Sequence, residues 1–507
     1  MRKTSFLILI ALVALALVAG SSASSKVGNL GPSFVVGATE DHALGQDDGG
    51  AAMFDQMSSY GLGAIRISVD YERSEPTTIQ QEALLERAVR TALDRGVRVL
   101  LSIAPGHAAD VTSDPDGVQY FANYTALVAQ KFPGVTDFII GNEPNLGAYW
   151  APTYNANLSI ASGASYEAAL AASYDALKAV NPDIDVIGLA LSPRGDDRPG
   201  SARATVSPVR FIKAVGDAYR ASRRTKPIMD NVGLHPYPNV NTDAPERGYA
   251  WPNIGVVNLD RAQQAFWDAF NGTAQPLFQE PGSRSTAGVG TNVRWILDEA
   301  GWQTNTQNLL GYNGSENVPS VDEATQARYH SALVSRFACD PHVGALLFFH
   351  WVDEKTRGPQ GFQSGAIRAD GSVKPVAGAV KSAIAGGCTG SQLAWRHSTS
   401  VNGASVTWRP KSGYLFFVRA SEDATFTATA TPTKSALKLA KKLKKKLKPV
   451  TLRGKVKAYV AVNVKLKGIT YKNSRSYTFS VKLGATTNPA RTATLKTKKL
   501  QKPNIEI

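Results

Sequence analysis

Two glutamates in this 507-residue chain each close an apolar run: Glu143 in DFIIGNEPN (137–145) and Glu299 in RWILDEAGW (294–302). A charge placed directly after a buried strand is costly unless something pairs with it or uses it. Two carboxylates facing each other can divide the labour of bond cleavage. One stays ionised and attacks, while the other holds a proton for the leaving oxygen and later activates water. That pairing cleaves a glycosidic acetal with retention when the two groups stand about 5 to 5.5 Å apart. Other polar residues close neighbouring apolar runs: Glu40, Asp41 and His42; Arg66 and Asp70; Asn142; His235 and Tyr237; Asp298; His350, Trp351, Asp353 and Glu354. No nucleophilic Ser or Cys elbow stands among them, and no His-rich set with metal-ligand spacing, so neither metal nor cofactor is expected.

The elements that must position these residues are regular. Eight short β-rich runs, at 34–40, 64–70, 98–105, 137–144, 185–193, 231–238, 294–302 and 344–354, alternate with stretches of helical period. Those stretches fall around 48–60, 77–95, 116–132, 164–180, 207–222, 258–269, 322–338 and 374–385. Near-continuous apolar strands, each followed by a helix, predict a parallel sheet covered on both faces, and eight such units predict a closed (β/α)₈ (TIM) barrel over residues 30–388. An open doubly wound sheet would carry a Gly-rich phosphate turn after its first strand, and GATEDHALG does not supply one. In a barrel, catalytic side chains come from the C-terminal strand ends, where all the residues above fall.

GNEPN at 141–145, HPY at 235–237 and DEAGW at 298–302, in that order on strands 4, 6 and 7, resemble clan A of the retaining glycoside hydrolases, closest to the pattern of families 5 and 39. The resemblance implies Glu143 as acid/base, Glu299 as nucleophile and Asn142 as a ligand of the sugar 2-hydroxyl. It also implies Arg66, His235, Tyr237 and Trp351 as supporting residues, with a carbohydrate as substrate. Two departures from the pattern stand out: Asp298 directly precedes Glu299 while Glu280 in QEPG offers a rival nucleophile, although in a loop; and Ala300 follows Glu299 where many relatives of the resembled families carry a larger residue. Tyr149, Trp150, Tyr154, Trp251 and Trp302 are candidates to stack on sugar rings, Trp302 foremost. His107, after strand 3, is a weaker candidate because Pro105-Gly106 leaves its direction open.

Charge and cysteine content bound the rest. The net charge is +15, but residues 391–507 hold 25 Lys and Arg against 3 Asp and Glu, so residues 1–390, with 31 against 38, are mildly acidic. Short alternating runs rich in Thr, Val and Lys predict a basic β-sandwich of immunoglobulin-like type at 391–507, interrupted by SALKLAKKLKKKLKP. That segment reads as a solvated Lys-rich helix or linker, or as an amphipathic basic helix for an anionic glycan or cell envelope. No nucleic-acid motif accompanies the charge, so no nucleic-acid partner is expected. Residues 1–23, two early cations and an apolar run ending in small residues, predict a secretory signal peptide, with an uncleaved anchor as the alternative; the mature chain is expected outside the cytoplasm, as a monomer. Export makes a structural disulfide the expected fate of the two cysteines, Cys339 and Cys388. The rival from another class is a wall-associated or glycan-binding protein whose barrel has lost turnover.

Overall fold

The computed structural model describes residues 34–278, 293–389 and 407–497, with breaks at 202, 317 and 359–360 and several short ones after 409. The stretch 1–23, expected to be a signal peptide, and the rival Glu280 lie outside the described residues.

Eight parallel strands close into a barrel in chain order: β1 (Val35–Thr39), β2 (Ala64–Tyr71), β3 (Arg98–Pro105), β4 (Asp137–Ile140), β5 (Asp185–Leu191), β6 (Asn231–Leu234), β7 (Trp295–Ala300) and β8 (Val343–Phe349), the last pairing back to β1. Eight helices alternate with them: α1 (Ala51–Ser59), α2 (Glu82–Asp94), α3 (Gly117–Lys131), α4 (Ser162–Val180), α5 (Pro208–Ser222), α6 (Leu259–Phe270), α7 (Glu323–Ala338) and α8 (Pro375–Gly386). Alternation along each strand makes two cores. Ala64, Leu100, Ile139, Ile187, Ile296, Ala345 and Leu347 fill the barrel, while their neighbours Ile65, Leu101, Ile140, Val186, Leu297 and Leu346 join the larger cluster under the helices. The interior is thus packed side chain, and chemistry is confined to its rim.

Several ends are fastened by polar side chains. Glu40, buried after β1, accepts the backbone N–H groups of His42 at 2.9 Å, Trp351 at 3.1 Å and Val352 at 2.9 Å, and so ties the turn after β8 to β1. Asn145 does the same between β4 and β5, accepting from Ser192 N at 3.0 Å and donating to the carbonyls of Ser192 and Val206. Asp353 forms a fully buried ion pair with Lys374 at 2.6 Å, so its place at the end of the eighth run is structural. Cys339, which caps α7, is bonded to Cys388 just beyond α8, closing a loop of 49 residues between consecutive outer helices.

Beyond residue 406 the chain forms antiparallel β structure. One sheet has the order β13 (Val462–Val464), β10 (Tyr414–Val418), β9 (Thr407–Arg409); the other is β12 (Val450–Val456), β11 (Ala424–Pro432), β14 (Tyr477–Ala485), β15 (Thr492–Thr497). Val418 and Val464 from the first sheet share one buried cluster with Phe426, Ala428, Phe479 and Val481 from the second, a layering compatible with a sandwich. The Lys-rich segment folds as α9 (Lys434–Lys442), capped by Thr433, whose hydroxyl accepts from Ala436 N. Ala440 is its buried residue, and Leu439 is 57% exposed. Among the described residues no helix is long and apolar enough to cross a membrane.

Candidate active site

Glu143 owes its position to the way β4 stops. After Ile140 the backbone turns through Gly141 (φ 80°), where a Cβ would come within 3.0 Å of the Tyr166 ring, and Glu143 itself adopts φ 41°. That left-handed conformation is costly for a non-glycine residue and concentrates at functional sites. Here it is held by Glu143 N donating to Ala190 O of β5 at 2.9 Å and by Leu146 N donating to Glu143 O at 2.8 Å.

Glu299 owes its position to an irregularity in β7. Strict alternation would turn Asp298 inward and Glu299 outward, toward the helices. The register between β7 and β8 shifts between Leu297, which pairs with Leu346, and Ala300, which pairs with Phe348; three steps on one strand match two on the other. A bulge of this kind re-aims side chains, and it lets both acids serve the barrel axis. Asp298 is fully buried; Glu299 is 12% exposed.

His235, buried immediately after β6, links three carboxylates. Its Nδ1 lies 3.0 Å from Glu143 Oε1 and 3.4 Å from Glu299 Oε2, and its Nε2 lies 3.1 Å from Asp298 Oδ2. Those first two distances cap the separation of these two glutamate oxygens at roughly 6.4 Å, so one ring nitrogen gathers both carboxylates. Arg66, inward-facing on β2, fastens the other side. Its Nη1 donates to Glu299, its Nη2 donates to Asn142 Oδ1 and Ser102 Oγ, each at 2.9 Å, and its Nε lies 3.5 Å from Asp298 Oδ2. Tyr237 completes the grip by donating its hydroxyl to Glu299 Oε2 at 3.0 Å.

The charges follow from these contacts. Burial works against a charged His235, but Glu299 and Asp298 outweigh it and push its pKa up to about 10, so the ring is an imidazolium at neutral pH. Burial likewise opposes charge on Asp298, and the His235 and Arg66 cations nevertheless hold it below the usual carboxylate range. Tyr237 is raised well above its ordinary value, by burial first and then by Glu299 and Glu143, so it stays a donor. Arg66 is raised too: burial lowers it, and the charges of Glu299 and Asp298 more than offset that.

The structure thus brings Glu143, Glu299, Arg66, Asn142, His235 and Tyr237 into one cluster. It does not bring the two tryptophans with them. Trp302 is fully buried, with its indole N–H donated to Asp243 O at 2.9 Å and its ring packed against Tyr329 and His330, so no sugar face can reach it. Trp351 is 3% exposed and turned toward α1, donating to Gln56 Oε1 at 3.1 Å. The β8 residue at the site is instead Phe349, the last of the strand, which packs edge-on against Tyr237 at 6.3 Å. Trp150 is buried between Phe121 and Tyr166. Tyr149 is the aromatic with an open face: it is 43% exposed and close enough to Glu143 and Glu299 for their charges, after burial, to raise its pKa. His107 is 79% exposed, 3.5 Å from both Glu72 and Asp110. These three form the one group among the described residues with ligand atoms close enough for a metal ion, on an open surface.

Asp298, Ser102 and Phe349 are the site residues that sequence reasoning misses or sets aside. Asp298 stands out in the sequence only as a departure beside Glu299, and its complete burial behind His235 removes it from contact with a substrate.

No family model matches this chain, and no curated protein does. Solved structures do. A family 39 glycoside hydrolase from the gut symbiont Bacteroides cellulosilyticus WH2 is 18% identical, with 79% of this chain and 70% of that one covered at a TM-score of 0.45. A GH5_18 protein from Streptomyces cattleya, in complex with GlcNAc, is 17% identical over 73% and 83% of the two chains at 0.46. An endo-1,4-β-mannanase from Rhizomucor miehei is 13% identical over 70% and 94% at 0.44. At such identities chemistry does not carry over, and the case for it rests on this chain's own side chains.

Proposed function

We propose that this chain is a retaining glycoside hydrolase of the clan A type, with Glu299 as nucleophile and Glu143 as acid/base. The observation that carries the reading is the approach of Glu143 and Glu299 to a single ring nitrogen of His235, at 3.0 and 3.4 Å. Two carboxylates gathered on one nitrogen fit the close pair that direct attack on the anomeric carbon needs.

The two acids are treated differently, as their roles require. Glu299 accepts from Arg66 and from Tyr237, bonds that aim it. Glu143 has one partner, His235, which leaves its second oxygen open for a proton and a leaving group. In the first step Glu299 attacks the anomeric carbon while Glu143 protonates the departing oxygen. Glu299 is then a neutral ester, and Glu143, now a carboxylate, takes a proton from the water that releases the sugar. Asn142, its Oδ1 already committed to Arg66, has its amide N–H₂ to offer a 2-hydroxyl as charge develops in the oxocarbenium-like transition state.

The proposal extends to location and partner. We read residues 1–23 as a signal peptide and the mature enzyme as secreted, acting on a poly- or oligosaccharide. Residues 391–507 are read as an immunoglobulin-like sandwich holding it near an acidic glycan or envelope. The support for the last point is the stripe of Lys434, Lys438 and Lys442 at four-residue spacing on α9, within a tail that carries 25 cations against 3 anions.

The test is a panel of aryl glycosides and polysaccharides with wild type, Glu143→Ala and Glu299→Ala. Glu299→Ala should lose about 10⁴-fold or more in kcat. Glu143→Ala should lose most on substrates with poor leaving groups and recover with azide. Wild type and both variants equally inert, while still binding glycans, would sink the reading in favour of a binding protein.

A further inference from the structure

Asp298 cannot touch a sugar, yet it is a fully buried acid in the catalytic cluster, bonded on one side to His235 Nε2 at 3.1 Å and 3.5 Å from Arg66 Nε on the other. As a carboxylate it only accepts hydrogen bonds, so the proton must sit on His235 Nε2. The opposite nitrogen, Nδ1, faces two more carboxylates, Glu143 at 3.0 Å and Glu299 at 3.4 Å. A ring with a bare lone pair there would be repelled by Glu299, the ionised acid of the double-displacement reading, and protonating Nδ1 as well removes the conflict. The remaining ionisable groups around the ring are Arg66, on β2, and Tyr237, on the same loop; neither offers Nδ1 a partner in place of the two glutamates.

We propose that Asp298 is a positioning residue that fixes His235 as a two-sided donor, whose Nδ1–H follows the negative charge from Glu299 to Glu143 as the reaction proceeds. The idea rests on the double-displacement reading. In the free enzyme the charge is on Glu299, which Arg66 and Tyr237 hold by hydrogen bonds and which His235 Nδ1 supports from 3.4 Å while also standing 3.0 Å from Glu143. Once Glu299 is esterified, its carboxylate charge is gone, and Glu143 has just given up its proton. The Nδ1–H then serves Glu143 as that group becomes the base. No proton leaves the ring in either step; only the acceptor changes, and the two acceptors are near enough for a small tilt of the imidazole to switch between them. The bulge in β7 is what makes this possible, because it places Asp298 and Glu299 on the same side of the strand.

The expected behaviour is specific. In the wild type, the ring of His235 should titrate near 10 by NMR of ring-labelled, unliganded protein. In Asp298→Asn, which keeps the shape and removes the charge, the midpoint should fall below about 8, because an amide can accept from or donate to Nε2. The pH–rate profile should respond in step: kcat/KM relative to wild type should fall by about a further tenfold or more between about pH 5, where His235 is still protonated, and about pH 8. Pre-steady-state measurement should show both glycosylation and deglycosylation slowed at the higher pH. A structural role for Asp298 would lower activity equally at all pH values, and that result overturns the proposal. So does a wild-type His235 midpoint near the ordinary value of about 6.5, a measurement that needs no variant. Should the titrations follow expectation in a protein that hydrolyses no glycoside, the protonation claim survives and the glycosidase reading is what fails.

Discussion

Replacing Arg66 with lysine keeps the charge and removes the fork. Arg66 is 3% exposed and reaches four groups at once: Glu299 through Nη1, Asn142 and Ser102 through Nη2, and Asp298 near Nε. A lysine ammonium is a point charge on a shorter reach, so it can satisfy the carboxylates or the Asn142–Ser102 pair, not both. Each hydrogen bond lost to a charged donor is worth about 1.5–3 kcal/mol, part of it recovered by relaxation, so Arg66→Lys should cost roughly 2–4 kcal/mol of stability. The catalytic loss should be larger than this implies for binding alone, because an Asn142 released from Arg66 no longer aims its amide and Glu299 is free to rotate; a fall of about 10²–10³ in kcat with little change in KM is expected. Arg66→Met goes further by leaving Asp298 and Glu299 with His235 as their remaining cationic partner. Its destabilisation should be greater at about pH 8 than at about pH 5, because at lower pH the stranded acids take up protons. Urea melts at both pH values and kcat on an aryl glycoside check this. A lysine variant with wild-type stability and kcat would refute the claim that the planar fork organises the site.

Three further expectations follow from the same contacts. Tyr237→Phe removes a single 3.0 Å bond to Glu299 and should lower kcat/KM about five- to tenfold while leaving the fold intact by circular dichroism. Because the pKa of His235 is raised in the folded protein, the stabilisation from its charge is fully present below about pH 6.5 and lost as pH climbs through about 10. Thermal melts between about pH 7 and 10.5 should show that loss, and His235→Gln should flatten it. Reducing the Cys339–Cys388 bond, which closes a 49-residue loop, should cost about 4 kcal/mol on a chain-entropy view, read as a lower urea midpoint with activity unchanged in native buffer.

The barrel was legible because its signal is repeated eight times. Each apolar strand and each amphipathic helix reports its own burial, and the observed helices fall within a few residues of the periodic stretches. The convergence of the acids at 143 and 299 was legible for a related reason: the strand ends of a barrel meet at one mouth. What the pattern hides is local backbone geometry. Nothing in RWILDEAGW marks the two-for-three register of β7 and β8, so Asp298 looks like a mere departure from the pattern when it is a buried partner of His235. The end of β8 misleads in a similar way. HWVDE reads as a strand end, but β8 stops at Phe349, and the buried Glu40 carboxylate holds the backbone of Trp351 and Val352 in a turn that carries the indole away toward α1. Trp302 reads as a mouth residue by its position two residues past the strand; the large buried cluster around Tyr329 and His330 claims it instead. A tryptophan's surface is equally suited to a core and to a sugar, and sequence alone does not separate the two.

The central claim is that Glu143 and Glu299 act as a close pair through a glycosyl-enzyme, and the anomeric configuration of the first-formed product tests it most directly. Hydrolysis of an aryl glycoside followed by ¹H NMR in the first minutes, before mutarotation, should show the sugar released with the configuration of the substrate. Product of the opposite configuration would mean that water attacks the anomeric carbon directly, and the account of this site as a double-displacement centre would be wrong.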